Sequence, residues 1–225
     1  MSKNINLREL KKARTKLLLL QTTLDLIGQG SMKDLHVEDI CRKAEISKVT
    51  FFNYFSKKEE LFCYFMGIWG LHRAVEQHLH PLRGIAGIRR IFHRVAEEDL
   101  RSSGVMLNLI RFLAGTDGKP DVPPITDAEK QVLYPEWDDI TEWDLPHLYE
   151  LFRHFLQESV EDGEVTAEMP LETLTLVTIS QFYGAFLSGH NGGVADMKMH
   201  YDMHLRLLLA NPSDSDVGWI IDKNE

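Results

Sequence analysis

The chain has 225 residues, enough for a sizeable core and one or two domains, and its apolar share of 44% is that of an ordinary globular protein. No run is long and apolar enough to span a bilayer, and no small-residue cleavage site follows an apolar run, so neither a membrane span nor a signal peptide is expected. The net charge of −9 hides a division: residues 1–60 carry 12 Lys and Arg against 8 Asp and Glu, and the rest carry 13 against 26, so a basic end sits on an acidic body and points to a polyanionic partner.

Residues 1–16 hold Lys3, Arg8, Lys11, Lys12, Arg14 and Lys16 against Glu9, an arm or helix start suited to phosphates. From about Leu7 a helix is expected, with Leu10, Leu17, Leu20, Leu24 and Ile27 on one face. Gly28 and Gly30 can end it, because glycine takes a left-handed cap without steric cost.

The stretch from His36 to Phe55 has the pattern of a helix-turn-helix. Val37, Ile40, Cys41 and Ala44 make one apolar face, and Glu38 and Asp39 sit in the first turn, where the helix dipole favours acids. Glu45-Ile46 forms a short turn. Ser47 then caps a second helix by accepting from the N–H of Val49 or Thr50. On this second helix Phe51 and Phe55 share the inner face, leaving Lys48, Val49, Thr50, Phe52, Asn53 and Tyr54 mostly outward. Ser56 with Glu59 three residues on opens a further helix.

From about Arg14 to Leu61 these residues resemble the DNA-binding domain of the TetR family of transcriptional regulators. The resemblance rests on the apolar first helix ending at Gly30, Val37 with Ile40, Ser47 and Thr50, the aromatic run to Phe55 and the Lys-Lys-Glu-Glu-Leu that follows. It covers about a quarter of the chain. It implies a recognition helix in the major groove, with Ser47, Lys48, Val49, Thr50 and Phe52 near base edges and the adjacent backbone, and Asn53, Tyr54 and Lys58 on phosphates. Four positions depart from the family pattern. Glu45 stands where a turn glycine is common, Val49 replaces a small residue, Phe52 replaces a tyrosine and so cannot hydrogen-bond a phosphate, and His36 is a poorer helix cap than threonine.

Beyond Lys57 a long helix is expected to about His78, broken by His80-Pro81-Leu82-Arg83-Gly84. An amphipathic helix follows from Ile85 to about Ser102, and Val105 to Leu113 is short and strongly apolar, so it is expected to be buried. The stretch from Gly115 to Pro146, with five prolines, reads as a long loop with one short helix at Asp127–Leu133. Leu148 to about Gly163, Leu171 to about Ser188 and Met197 to Leu209 complete the helices. The last two have more apolar face than one core needs, which favours a dimer, and Leu174, Phe182, Phe186, Met203 and Leu207 are its candidate residues.

No other chemistry is expected. Cys41 and Cys63 read as reduced core cysteines, and His72, His78 and His80 lack the spacing and partners of a metal site. The glycine-rich run from Ser188 to Gly193 follows a helix rather than a strand and lacks a phosphate-loop lysine. Neither an enzyme, a cofactor nor a bound metal is expected.

The fold expected is all-α: a three-helix domain over residues 1–60, with the helix-turn-helix at about 36–55, and a larger helical effector-binding and dimerisation domain over 61–225. The function expected is that of a cytoplasmic homodimer that binds a palindromic operator on double-stranded DNA, acts as a repressor and is released by a small apolar effector. Trp69, His72, Met106, Phe112, Phe152 and Phe182 are the candidate effector contacts. A DNA-binding dimer without an effector and a metal-responsive regulator are the alternatives.

Overall fold

A computed structural model describes residues 5–27, 31–101, 104–118, 120–166 and 168–209, with the side chains of 100 and 101 left out. Lys3, Gly28 and Gly30 therefore lie outside the described residues. The described residues form ten α-helices: α1 (Leu7–Ile27), α2 (Val37–Lys43), α3 (Lys48–Phe52), α4 (Glu60–Leu79), α5 (Gly84–Arg101), α6 (Val105–Ala114), α7 (Asp127–Leu133), α8 (Leu148–Glu161), α9 (Leu171–Asn191) and α10 (Met197–Leu205). Short 3-10 turns occupy Ile140–Glu142 and Arg206–Leu208. The only β-structure among these residues is a single bridge between Val165 and Leu209. The all-helical expectation holds, and no described helix is long and apolar enough to cross a membrane.

The helices gather into two compact units, one of residues 1–72 with 101–145, the other of 73–100 with the remainder. In the first, α1 packs on α2, α6 and α7. Asn6 and Glu9 start α1 reciprocally: each side chain accepts from the other's backbone N–H, at 2.9 and 3.1 Å. The buried residues of α1 include Ala13, Leu19, Leu20, Thr23 and Ile27, so Leu19 joins the face expected from periodicity while Leu17 and Leu24 are only half-buried.

A carboxylate lies at the middle of this unit. Glu129 of α7 is 1% exposed, accepts from Lys16 Nζ of α1 at 2.5 Å and from the Tyr64 hydroxyl of α4 at 2.8 Å, and closes a capping box with Thr126. Lys16 also lies over the Tyr64 ring, 4.1 Å from its centre. Burial pushes the Glu129 carboxyl up; the bonds from Lys16, Thr126 and Tyr64 outweigh it and leave the group ionised below the usual carboxylate range.

The expected loop over 115–146 is therefore a built part of the unit. Its leading segment runs against α4 at Gly67, where a Cβ would stand 3.0 Å from Ile125 and 3.4 Å from the Pro123 carbonyl. Ile140 is fully buried in the 3-10 turn that periodicity missed.

The second unit holds the C-terminal turns of α4 with α5, α8, α9 and α10. Its core is aromatic: Phe92 lies 5.0–6.1 Å, centre to centre, from Phe152, Phe182 and Tyr201. The first amides of α5 are capped from elsewhere in the fold, Gly84 N–H by Glu158 at 3.1 Å and Ile85 N–H by Glu164 at 3.0 Å.

Asp202 of α10, 3% exposed, anchors that helix to α5. It accepts from Arg89 at 2.8 and 2.9 Å and lies 2.7 Å from His93 Nε2. Burial raises its carboxyl pKa, but the His93 and Arg89 bonds prevail and hold it below the ordinary value of 3.8. Asp202→Asn is expected to lower stability in urea denaturation by about 1.5–3 kcal/mol near neutral pH. A depressed carboxyl stabilises the fold above its unfolded pKa and loses that contribution as pH falls through the folded one, so the variant's deficit should shrink below about pH 4.

Candidate nucleic-acid interface

The helix-turn-helix is built on two buried rings. Phe51 is 0% and Phe55 4% exposed, their centres 5.9 Å apart, and Phe55 meets Tyr64 of α4 at 5.7 Å. Ile40, Cys41 and Ala44 of the α2 face are buried beneath them in the same unit. Both cysteines are free and buried, and burial raises the pKa of each thiol, as reduced core residues require.

Ser47 caps α3 as its position predicts: its Oγ accepts from Thr50 N–H at 3.1 Å and lies 2.9 Å from the Thr50 hydroxyl. α3 has only five residues, and with Phe51 turned inward the opposite side is open. Val49 is 72% and Phe52 52% exposed, and Ser47, Lys48 and Asn53 are exposed with them; Thr50 and Tyr54 are half-buried. Two large apolar side chains standing in water beside a lysine suit a surface made to meet base edges and thymine methyls.

Lys48 does not stand alone. Its ammonium pairs with Glu38 in the first turn of α2, and that bond first of all holds the Glu38 carboxyl below the usual range. Lys58 faces inward: its Nζ donates to the carbonyls of Met32, Lys33 and Leu35 at 2.7, 3.2 and 2.6 Å, clamping the segment between α1 and α2. That segment is pinned again by Asn108 of α6, 3% exposed, which accepts from Met32 N–H at 3.0 Å. Sequence reasoning found neither Glu38 nor Asn108. A lysine ten residues from an acid, across a turn, is the signal that could have exposed the first.

The start of α4 differs in detail from its reading. Ser56 bonds to Glu60 through both its backbone N–H, at 2.8 Å, and its hydroxyl, and the helix begins at Glu60. Glu59 is thus not the capping acid. A turn over 57–59 precedes the helix and moves the reciprocal carboxylate one residue along.

The other candidates divide between the units. Trp69, His72, Met106 and Phe112 belong to the first, where Phe112 stacks on Phe62 at 5.4 Å and His72 bonds to the Tyr134 hydroxyl. Phe152 and Phe182 belong to the aromatic core of the second. Among the dimer candidates, Leu174, Phe182 and Phe186 are buried within the second unit, while Met203 is 53% and Leu207 76% exposed. No group of three or more His, Cys, Asp and Glu side chains is placed to hold a metal ion among the described residues.

Glu45 is the only described non-glycine residue with positive φ, at 55°, so the turn between α2 and α3 does need the left-handed conformation. His36, at the start of α2, makes no side-chain cap bond. Glu45→Gly is expected to raise stability by about 1 kcal/mol by relieving that conformation, read as a higher urea midpoint with unchanged slope. A lower midpoint would mean that the Glu45 side chain itself holds the turn.

With this geometry in view, the comparisons fall into place. The family model described as "Bacterial regulatory proteins, tetR family" matches residues 19–64, which span the C-terminal part of α1, α2, α3 and the start of α4. No curated protein matches the chain by sequence. Solved structures match its fold. RolR in complex with resorcinol is 17% identical with a TM-score of 0.59, over 95% of this chain and 96% of that one. Thermus thermophilus FadR, a TetR-family transcriptional repressor in complex with lauroyl-CoA, is 17% identical at 0.57, over 85% and 92%. A TetR transcriptional regulator from Rhodococcus sp. RHA1 is 18% identical at 0.57, over 90% and 100%. The helix-turn-helix thus matches the model of the TetR family, and the chain as a whole shares its fold with solved TetR-family regulators.

Proposed function

We propose that the protein is a homodimeric repressor that binds a palindromic operator and leaves it when a small apolar or aromatic effector binds. The observation that carries the DNA half of this reading is α3: Lys48, Val49, Phe52 and Asn53 face water while Phe51 and Phe55 hold the helix from behind. We assign DNA binding to residues 1–60. Lys48 then donates to a guanine edge, Val49 and Phe52 pack on thymine methyls, and Ser47, Thr50, Asn53 and Tyr54 fix the helix against the backbone. Lys58 contributes by keeping the α1–α2 segment in place, in addition to any phosphate it meets.

Residues 61–225 serve dimerisation and effector binding in this proposal. A single recognition helix reads few base pairs, and a two-fold dimer doubles the site. The face that supports pairing lies on α9 and α10. Leu176, Val177 and Leu187 are 58%, 36% and 37% exposed, and Met199, Met203 and Leu207 add 42%, 53% and 76%. Leu176, Ser180, Gly184 and Leu187 follow helical spacing, and a Cβ at Gly184 would meet nothing within 4 Å, so a second helix can approach closely there.

For the effector, the support is the apolar and aromatic content of the first unit's candidate contacts Trp69, His72, Met106 and Phe112, together with the resorcinol and lauroyl-CoA complexes of proteins that share the fold. Such a ligand releases the operator if it binds the DNA-incompetent state more tightly.

Footprinting on the DNA flanking its own gene tests the reading. A two-fold symmetric protected site is expected, with affinity falling steeply as salt rises. Lys48→Ala should weaken binding about tenfold, as loss of one base contact does, whereas Glu38→Gln should tighten it by freeing Lys48. Failure to select any sequence from a random DNA pool would overturn the proposal. Gly184→Arg should leave the thermal midpoint of the protomer unchanged but give a monomer in sedimentation with operator affinity lost; a dimer of the variant would place the interface elsewhere.

A further inference from the structure

α10 opens with a run that DNA reading does not explain: between 197 and 204, five of eight residues are Met197, Met199, His200, Met203 and His204. His200 and His204 stand one turn apart on the same side of the helix, both half-buried, with ring centres 4.8 Å apart and planes inclined at 67°. With a metal–nitrogen bond of about 2.0–2.1 Å an ion lies about 3.2 Å from an imidazole centre, so this separation corresponds to an angle of about 95–100° at one shared ion. That value falls between the square-planar and tetrahedral angles.

The surroundings of His200 settle which nitrogen is available. Its Nε2 lies 3.1 Å from Ser188 Oγ on α9. The single hydrogen of that hydroxyl is donated to the Ala185 carbonyl, also at 3.1 Å. With the hydroxyl hydrogen on that carbonyl, Ser188 accepts from the Nε2–H, and Nδ1 is left as the lone pair. An imidazole oriented by a hydrogen bond at one nitrogen with the other free is built as metal ligands are. The acid of this helix, Asp202, faces α5 and is held there by Arg89 and His93.

We propose that His200 and His204 form a surface site for a copper ion, with water completing its coordination. Two imidazoles bind copper above zinc or nickel by the ordinary affinity order. The site rests on α9 and α10 alone and does not depend on the DNA-binding reading.

The test is titration of untagged, full-length protein with copper(II) sulfate, followed by calorimetry and electron paramagnetic resonance. About one tight ion per protomer is expected, with hyperfine coupling to two imidazole nitrogens. His204→Asn should weaken it tenfold or more, and the double variant His200→Asn/His204→Asn should lose it, with far-ultraviolet dichroism unchanged. If the double variant disturbs the fold, the imidazole coupling in the parent protein decides. Binding no tighter in the parent than in a folded double variant, a spectrum without imidazole coupling, or tighter zinc than copper would each overturn the assignment.

Discussion

One buried negative charge organises the unit that carries the helix-turn-helix. A carboxylate with 1% exposure is costly to bury unless it is met from every side, and Glu129 is met by an ammonium from α1, a phenol from α4 and the hydroxyl and amide of Thr126 at the start of its own helix. Removing any partner leaves the others facing an uncompensated charge, so α1, α4 and α7 are held to one arrangement. Tyr64 carries its hydroxyl to Glu129, lies under the Lys16 ammonium and packs at a tilt against Phe55. The chain of contacts from the recognition helix to α7 is thereby four side chains long: Phe51, Phe55, Tyr64, Glu129.

How much of this could be read in advance depended on whether the information was local. The helix-turn-helix was legible because its signals lie within twenty residues: apolar spacing on α2, a serine cap on α3 and two inward phenylalanines. The left-handed backbone at Glu45 was legible only through the family resemblance, which puts a glycine at that turn. The Asp127–Leu133 helix was found within a proline-rich stretch because its cap and periodicity are local too. Long-range bonds were not legible. Nothing in the sequence around Glu129 says that it will meet Lys16, 113 residues away, and nothing near Lys58 says that it will meet three carbonyls between α1 and α2.

α9 illustrates a different limit. It is apolar around much of its circumference, so composition alone cannot separate the side turned to its own core from the side turned outward. Leu174, Phe182 and Phe186 are inside and Leu176, Val177 and Leu187 outside, a division set by where α8 and α10 pack. The two sides differ in bulk more than in polarity: the buried side carries two of the rings, the exposed side the open Gly184.

In the proposed reading, the shortness of α3 has a consequence for how the protein meets DNA. Five residues cannot hold a helix in water by their own hydrogen bonds, because nucleation is unfavourable and little propagation follows. The shape that reads bases is therefore borrowed from the packing of Phe51, Phe55 and Tyr64, and it exists only while that packing does. Thermodynamic linkage then runs in both directions: a duplex that binds the folded helix and not the unfolded one acts as a folding ligand for the unit. Occupancy of the operator should thus be felt as slower amide exchange at α7, a helix with no base-reading role, because the melting of one is coupled to the melting of the other.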